Sequence, residues 1–368
     1  MNLYQAHHEW ATRPPDERFA SLADLYATVK ARDEQSTETL AADVRSARVV
    51  PLDGGRLGLT DATLAVPRVF TNWSLGQLAT RIDVPRNFLP KLSLGVTADV
   101  LNDRLERCGQ ALPEASLLGW NGTPEPTLRA LTSQRYERLW DSKVVGETQA
   151  RLPEGWRNPV AYKDGQFGAD LVPSGLYASD RDLFMFLIDG GDQVDLGKDG
   201  GAHHGFIVWN SEVGAATFGW MAFYFEKVCG NNIIWGAHDV HQFKARHLRG
   251  IHDLFAAYQV FLGELRTQDH QGFALAVEAA RAELAVKIEA TDVATLSQAV
   301  PRFKKEGFGA GEVANALASI HQESRDATGS RWDWLQGFTA AARRISHVDA
   351  RVDLEQRASK ALLGVVRG

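Results

Sequence analysis

The sequence predicts an α+β fold with a small N-terminal unit, a central mixed β-sheet and a helical C-terminal region. Three observations support this prediction. Short apolar runs bounded by glycine and aspartate dominate residues 175–235, as in buried strands. Longer runs with helical spacing follow residue 250, and short β-like and helical pieces alternate near the start. We therefore divide the chain into units 1–125, 126–250 and 251–368.

Composition and charge limit the classes of protein to consider. Hydrophobic residues make up 44% of the 368 residues and charged residues 23%, which is ordinary for a globular protein with a real core. The net charge of −6 excludes a uniformly basic nucleic-acid binder but not a local basic face. Two distant cysteines, a polar start and the lack of an apolar run of about 18 residues predict a cytoplasmic protein without a membrane span.

The N-terminal unit contains a segment that fits a helix-turn-helix pattern, residues 75–89. Ala79 is the small residue where two helices would cross, and Asp83 occupies the turn, where a positive φ is expected. Pro85 suits the first turn of a second helix. We expect residues 71–92 to be helical. The segment either contacts DNA or is a plain helical hairpin.

Residues 175–250 form the strand-rich block with the densest set of unusual polar residues. The runs 183–188 and 206–209 predict strands buried on both faces, because they are short, continuous and apolar. The aromatic segment 218–228 fits either a helix or a strand. Most of the ten tryptophans are expected in the core and at interfaces, with base stacking as the alternative.

Acidic residues follow or precede two of these strands. Asp180 and Asp182 flank Arg181 before the first strand, and Glu212 follows the second. Turns held by local hydrogen bonds and ion pairs are one explanation. The other is an acidic site that, with His238 and His241, binds a divalent metal ion, the one cofactor that we consider.

The end of the block is the best local cationic site in this acidic chain. Six of the 12 residues from His238 to Arg249 are histidine or basic. We expect this stretch to contact a phosphate backbone. The primary contacts are Lys244, Arg246, His247 and Arg249, and the secondary ones are Arg135, Tyr136 and Arg181.

Several motifs keep the order found in a known family. They are 73–79 with Val84-Pro85, 133–136, 176–184, 206–214, 228–231 and 332–355. In this order the chain resembles the phage and plasmid-like proteins that carry the domain of unknown function numbered 932. Asp83 and Gly230 depart from the family's more usual glycine and Ser or Thr. The resemblance implies a mobile-element setting and no established chemistry.

These observations favour a DNA-binding protein that handles single-stranded DNA in phage or plasmid replication or recombination, and that forms a homo-oligomer. One alternative is a metal-dependent enzyme acting on nucleic acid, and another is a non-catalytic structural or interaction protein of a mobile element. The sequence has no phosphate-binding loop, dinucleotide motif, nucleophile elbow or His-Glu-x-x-His motif. Whether the protein is an enzyme therefore stays open.

Overall fold

The predicted α+β class, with a mixed sheet and a helical C-terminal region, is confirmed in a computed structural model. The structure describes residues 14–61, 66–108, 112–122, 124–162, 171–173, 175–195, 201–228, 231–235, 243–248, 250–265, 271–323 and 326–342, with a few single positions beyond.

The first sheet has six strands and lies in the N-terminal part of the chain. They are β1 (Ser36–Ala42), β2 (Arg48–Leu52), β3 (Arg56–Thr60), β4 (Arg68–Phe70), β5 (Ala115–Trp120) and β6 (Thr127–Ser133), in the spatial order β1-β5-β6-β4-β3-β2. The parallel pair that makes this sheet mixed is β4 with β6. The expected unit boundary after residue 125 falls between β5 and β6, which are paired antiparallel. A division at this point would separate two paired strands of one sheet.

Two helices cover one face of this sheet: α2 (Asn72–Arg81) and α3 (Leu94–Cys108). The helix α1 (Leu22–Glu34) lies elsewhere, against the second sheet. Leu78 and Ala79 of α2 and Leu101 of α3 are fully buried in a core with Leu131 of β6. The helices form on this face because their apolar residues recur at helical spacing.

The helix-turn-helix prediction is half right. Asp83 does adopt a positive φ of 57°, two residues after the end of α2, and Ala79 is buried as expected. However, the second helix is a six-residue 3-10 helix, Arg86–Lys91, and not an α-helix. Pro90 disfavours an α-helix here, because its ring would clash with the carbonyl group of the residue four positions earlier, Arg86.

The second sheet contains the strand-rich block. Its main strands are β10 (Leu176–Ala178), β11 (Leu183–Asp195), β12 (Gly201–Asn210), β13 (Phe218–Val228) and β14 (Asn231–Trp235), in that spatial order; β7 (Trp156–Arg157) pairs with β11 and β15 (Phe243–Ala245) with β13. A separate two-stranded sheet joins β8 (Val160–Tyr162) and β9 (Leu171–Pro173). The predicted strands 183–188 and 206–209 are confirmed, and the open segment 218–228 is a strand.

Helices that precede the second sheet in the sequence and helices that follow it both pack against it. α1, α4 (Asp141–Arg151) and α5 (Ile251–Glu264) contribute to one core with Phe206, Val208 and Trp220. The later helices are α6 (Gln271–Ala282), α7 (Asp292–Lys304), α8 (Ala310–Glu323) and α9 (Arg331–Ala342). They enclose a second core around Trp334 and Phe303, which also includes Tyr224 of β13. Within the described residues, no helix has the length and apolar character needed to cross a membrane.

Candidate nucleic-acid interface

Four loops meet where the two sheets approach each other, and we name this place the loop junction: residues 134–140, 179–182, 211–215 and, in the fourth loop, 246–248 with 250. The Tyr136 hydroxyl donates a hydrogen bond to the carbonyl oxygen of Ser211 at 2.5 Å. The Ser211 hydroxyl in turn donates to the carbonyl oxygen of Arg181 at 2.5 Å. These two bonds fix the first three loops to one another.

The fourth loop joins through a stacked ring pair. The rings of Tyr136 and His247 lie 5.0 Å apart between centroids, with an angle of 21° between their planes. The backbone N–H of Glu137 donates to the carbonyl oxygen of His247 at 3.2 Å. The Gly250 N–H donates to the Glu137 carboxylate at 2.6 Å. The structure thus brings Arg135, Tyr136, Arg181 and Arg246 onto neighbouring loops, although they are far apart in sequence.

Three of the predicted phosphate contacts in this junction are exposed cations: Arg135, Arg181 and Arg246. Lys244 is also exposed. It lies on β15 at the edge of the second sheet, opposite Gly219 of β13 in the strand register. Arg181 lies 3.7 Å from the carboxylate of Asp180, and both side chains are about half exposed. Such an exposed pair is weak and leaves the guanidinium accessible to another anion. Arg249 lies outside the described residues.

His247 is not the exposed cation that the sequence led us to expect. Only 3% of its surface is exposed. Burial, together with the nearby charge of Arg138, lowers the pKa of His247 to about 4, although a backbone hydrogen bond with Glu137 acts in the opposite direction. The ring is therefore neutral at pH 7, and its role here is to support Tyr136 by stacking. Burial likewise raises the pKa of Tyr136, whose hydroxyl stays a hydrogen-bond donor.

Beneath the loop junction lies a buried ionic cluster of Arg32, Arg129, Asp141 and Glu212. The Arg129 guanidinium and the Glu212 carboxylate are 2.7 Å apart, and their side chains are 3% and 1% exposed. Glu212 also accepts a hydrogen bond from the Asp141 N–H at 2.9 Å. The Asp141 carboxylate lies 3.5 Å from Arg32. The cluster joins β6 of the first sheet to α1, α4 and the end of β12, so it locks the loops above it in place.

The two acids of the cluster differ in protonation. Burial, followed by the charge of Glu212, raises the pKa of Asp141 to about 7, and the charge of Arg32 only partly opposes this. Burial also acts to raise the pKa of Glu212, but the charges of Arg129 and Arg32 outweigh it and lower that pKa. Glu212 is thus the ionised member at neutral pH. The amide of Asn210 donates to the other oxygen of Asp141 at 2.8 Å, which holds that carboxyl in position.

The predicted acidic metal site does not form among the described residues. Glu212 points into the buried ionic cluster, whereas Asp180 faces solvent beside Arg181. Asp182 accepts a hydrogen bond from the Ser179 hydroxyl at 2.5 Å and so stabilises its own turn. No group of three or more potential ligands suits a metal ion within the described part of the chain. His238 and His241 lie outside it.

Sequence reasoning missed most of the buried ionic cluster. Arg129 offered a signal, since it is the one charged residue in the apolar stretch 128–131, and a charge in a buried strand requires a partner. Arg32 and Asp141 offered none, because nothing in their local sequence distinguishes them from surface residues of helices and turns.

No protein-family model matches the chain, and no curated protein or solved structure matches it significantly. The resemblance to the phage and plasmid-like family therefore stays a prediction based on the order of motifs.

Proposed function

We propose that this protein binds DNA at the loop junction, and that it prefers single strands. The observation that supports this proposal is the convergence of Arg135, Arg181 and Arg246 on neighbouring loops, with Lys244 on the adjoining strand. Exposed guanidinium groups on a rigid support suit phosphate contacts, since Arg presents a planar set of donors to phosphate oxygens.

The preference for single strands is supported by the segment that resembles a helix-turn-helix. A helix that enters the major groove needs several turns, whereas the 3-10 helix Arg86–Lys91 has six residues and spans only about 12 Å at roughly 2 Å per residue. The family resemblance adds a mobile-element setting, where single strands arise during replication and recombination. Such a role would place the protein in the cytoplasm, beside the DNA it handles.

The test is binding of a labelled single-stranded oligonucleotide and its duplex across a salt series. The triple variant Arg135→Ala, Arg181→Ala, Arg246→Ala removes three phosphate contacts. We expect affinity at low salt to fall by at least about tenfold, and the slope of log K against log salt to decrease by about 2, at roughly 0.7 per contact for single strands.

The matched control is Arg107→Ala, Lys287→Ala, Lys304→Ala, which makes the same change in net charge at exposed side chains on elements outside the four loops. It should leave the salt slope unchanged. Equal losses in the two triple variants would show that net charge alone matters and would overturn the site. No binding of wild type to either oligonucleotide at low salt would overturn the function. Light scattering on the same samples tests the expected homo-oligomer.

A further inference from the structure

A second polar surface lines a cleft of about 640 Å³ at α2, the helix whose Trp73 and Gln77 side chains contact the loop junction. The cleft is bounded by the β2–β3 hairpin, the start of α2 and the 3-10 helix Arg86–Lys91. Its walls combine apolar side chains, such as Phe70 and Leu75, with Arg56, Arg86, Asn72 and Asn87. A volume of this size and a mixed lining are usual for sites that bind small molecules.

Arg86 is the distinctive group of the cleft. Its guanidinium carbon lies 5.7 Å from the centre of the Trp73 ring, so the cation packs over that aromatic side chain. Its side chain also lies directly on Gly76, where a Cβ would approach the Arg86 Nε to 2.8 Å. Among the described residues, no carboxylate lies within 4 Å of Arg86, whereas Arg56 pairs with Glu125 at 2.5 Å. Arg86 is therefore a fixed cation without a counter-ion from the described chain.

The two asparagines complete the set of polar groups. Both are exposed at the cleft, and neither amide has a hydrogen-bond partner among the described residues. An asparagine amide offers a donor and an acceptor side by side, which matches the hydrogen-bonding edge of a nucleobase. A guanidinium matches a phosphate, and apolar walls accept the face of a flat ring. We infer that this cleft binds one nucleotide, with the phosphate on Arg86 and the base edge on Asn72 or Asn87.

The cleft is physically connected to the loop junction through α2. The Trp73 indole N–H donates to the carbonyl oxygen of Val213 at 3.0 Å, and the Gln77 amide donates to the same oxygen at 2.8 Å. Gly214, the next residue, lies against Tyr136. A single strand on the loop junction can therefore extend past Trp73 and place one nucleotide in the cleft. This extension rests on the proposed function, whereas binding of a free nucleotide does not.

The experiment is equilibrium dialysis of the full chain with dAMP, dTMP and inorganic phosphate, followed by titration with the single-stranded oligonucleotide. Arg86→Gln should weaken binding of the mononucleotides about tenfold or more, since a charge-assisted hydrogen bond is lost. Lys91→Gln is the matched control, because it removes a cation from the same 3-10 helix outside the cleft lining. It should leave mononucleotide binding unchanged.

Gly76→Ala provides an independent variant that keeps every charge. The new methyl group displaces the Arg86 side chain, so mononucleotide binding should fall by a similar factor. The helix itself should not suffer, since alanine is a better helix former than glycine, and the melting temperature should be unchanged or higher. Weaker binding in a protein that is at least as stable would be hard to explain by misfolding.

The outcomes separate the two proposals. No mononucleotide binding to wild type overturns the cleft while leaving the loop junction to be judged by its own triple variant. Binding of phosphate as tight as that of dAMP and dTMP also overturns it, because the asparagines and apolar walls then contribute nothing. Mononucleotide binding that depends on Arg86 and Gly76 supports the cleft even if the oligonucleotide does not bind. Loss of oligonucleotide affinity in Arg86→Gln as well supports the extension along the strand.

Discussion

Replacing Arg129 by methionine should lower the free energy of unfolding by more than the replacement of any exposed charged residue in this protein. The guanidinium is the closest counter-charge of Glu212, at 2.7 Å, and both side chains are at least 97% buried. In Arg129→Met the methionine fills much of the space, but the Glu212 carboxylate keeps its charge in a site where water cannot solvate it. Breaking a buried pair in this way costs about 3–5 kcal/mol, a large part of the total stability of a typical domain.

The measurement is the first transition in urea-induced unfolding at pH 7, followed by tryptophan fluorescence and circular dichroism. Arg107→Met is the matched control: its pair with Asp103 is 2.9 Å long but mostly exposed, so the loss should be at most about 0.5 kcal/mol. The double variant Arg129→Met, Glu212→Gln removes both charges and keeps an acceptor for the Asp141 N–H. It should recover most of the loss. A loss below about 1 kcal/mol in the single variant, or no recovery in the double, would refute the reasoning.

Three further predictions concern pH and backbone strain. Unfolded Asp141 ionises near its ordinary pKa of 3.8, whereas the folded carboxyl holds its proton to about pH 7, so the free energy of unfolding decreases as the pH rises between these values. Asp141→Asn should lack this decrease. Urea midpoints of variant and wild type that differ by a constant amount between pH 4 and 7.5 would contradict it. The pKa of His247 is about 4 in the folded protein and 6.5 ordinarily, so stability is lost as the pH falls from 6.5 towards 4. His247→Phe should remove that loss in thermal melts, because phenylalanine keeps the stacked ring on Tyr136 without a titrating group. Ala41 has a φ of 54° at an irregularity in β1, where glycine is favoured, so Ala41→Gly should raise the free energy of unfolding by about 1 kcal/mol, with Ala42→Gly as a control that does not.

The fold could be predicted from the sequence where pattern and length agreed. The glycine-bounded run 183–188 and the helical region beyond residue 250 are confirmed because burial on both faces and helical spacing leave local signatures. The segment 218–228 could not be assigned, since an aromatic run of that length suits either structure. The boundary expected after residue 125 separates β6 from a sheet whose other strands come earlier, and this long-range pairing leaves no local signal in the sequence.

The candidate site was predictable in its residue types but not in its geometry. Arg135, Tyr136 and Arg181 were proposed as contacts from separate motifs, and the structure places their loops together. His247 was misjudged because a sequence does not show which way a loop side chain faces. Glu212 was noticed as an acid, yet its partner Arg129 lies 83 residues earlier. Pairing across that distance depends on how the two sheets meet, which the sequence alone did not reveal.

The early helix α1 has a consequence for how the chain is made. The Arg32 guanidinium donates to the carbonyl oxygen of Ser179 at 2.5 Å, across a separation of 147 residues, and α1 packs mainly on α4 and β10. During synthesis, α1 leaves the ribosome long before the segments it packs against have been made. Its apolar residues Leu25 and Val29, which are buried in the folded protein, are therefore exposed to solvent during that time. Arg129 of the first sheet is likewise synthesised before Glu212, so it has no buried counter-charge until residue 212 is made. Translation of the first half should therefore yield a chain sensitive to proteases, with protection gained when the strand containing Asn210 emerges.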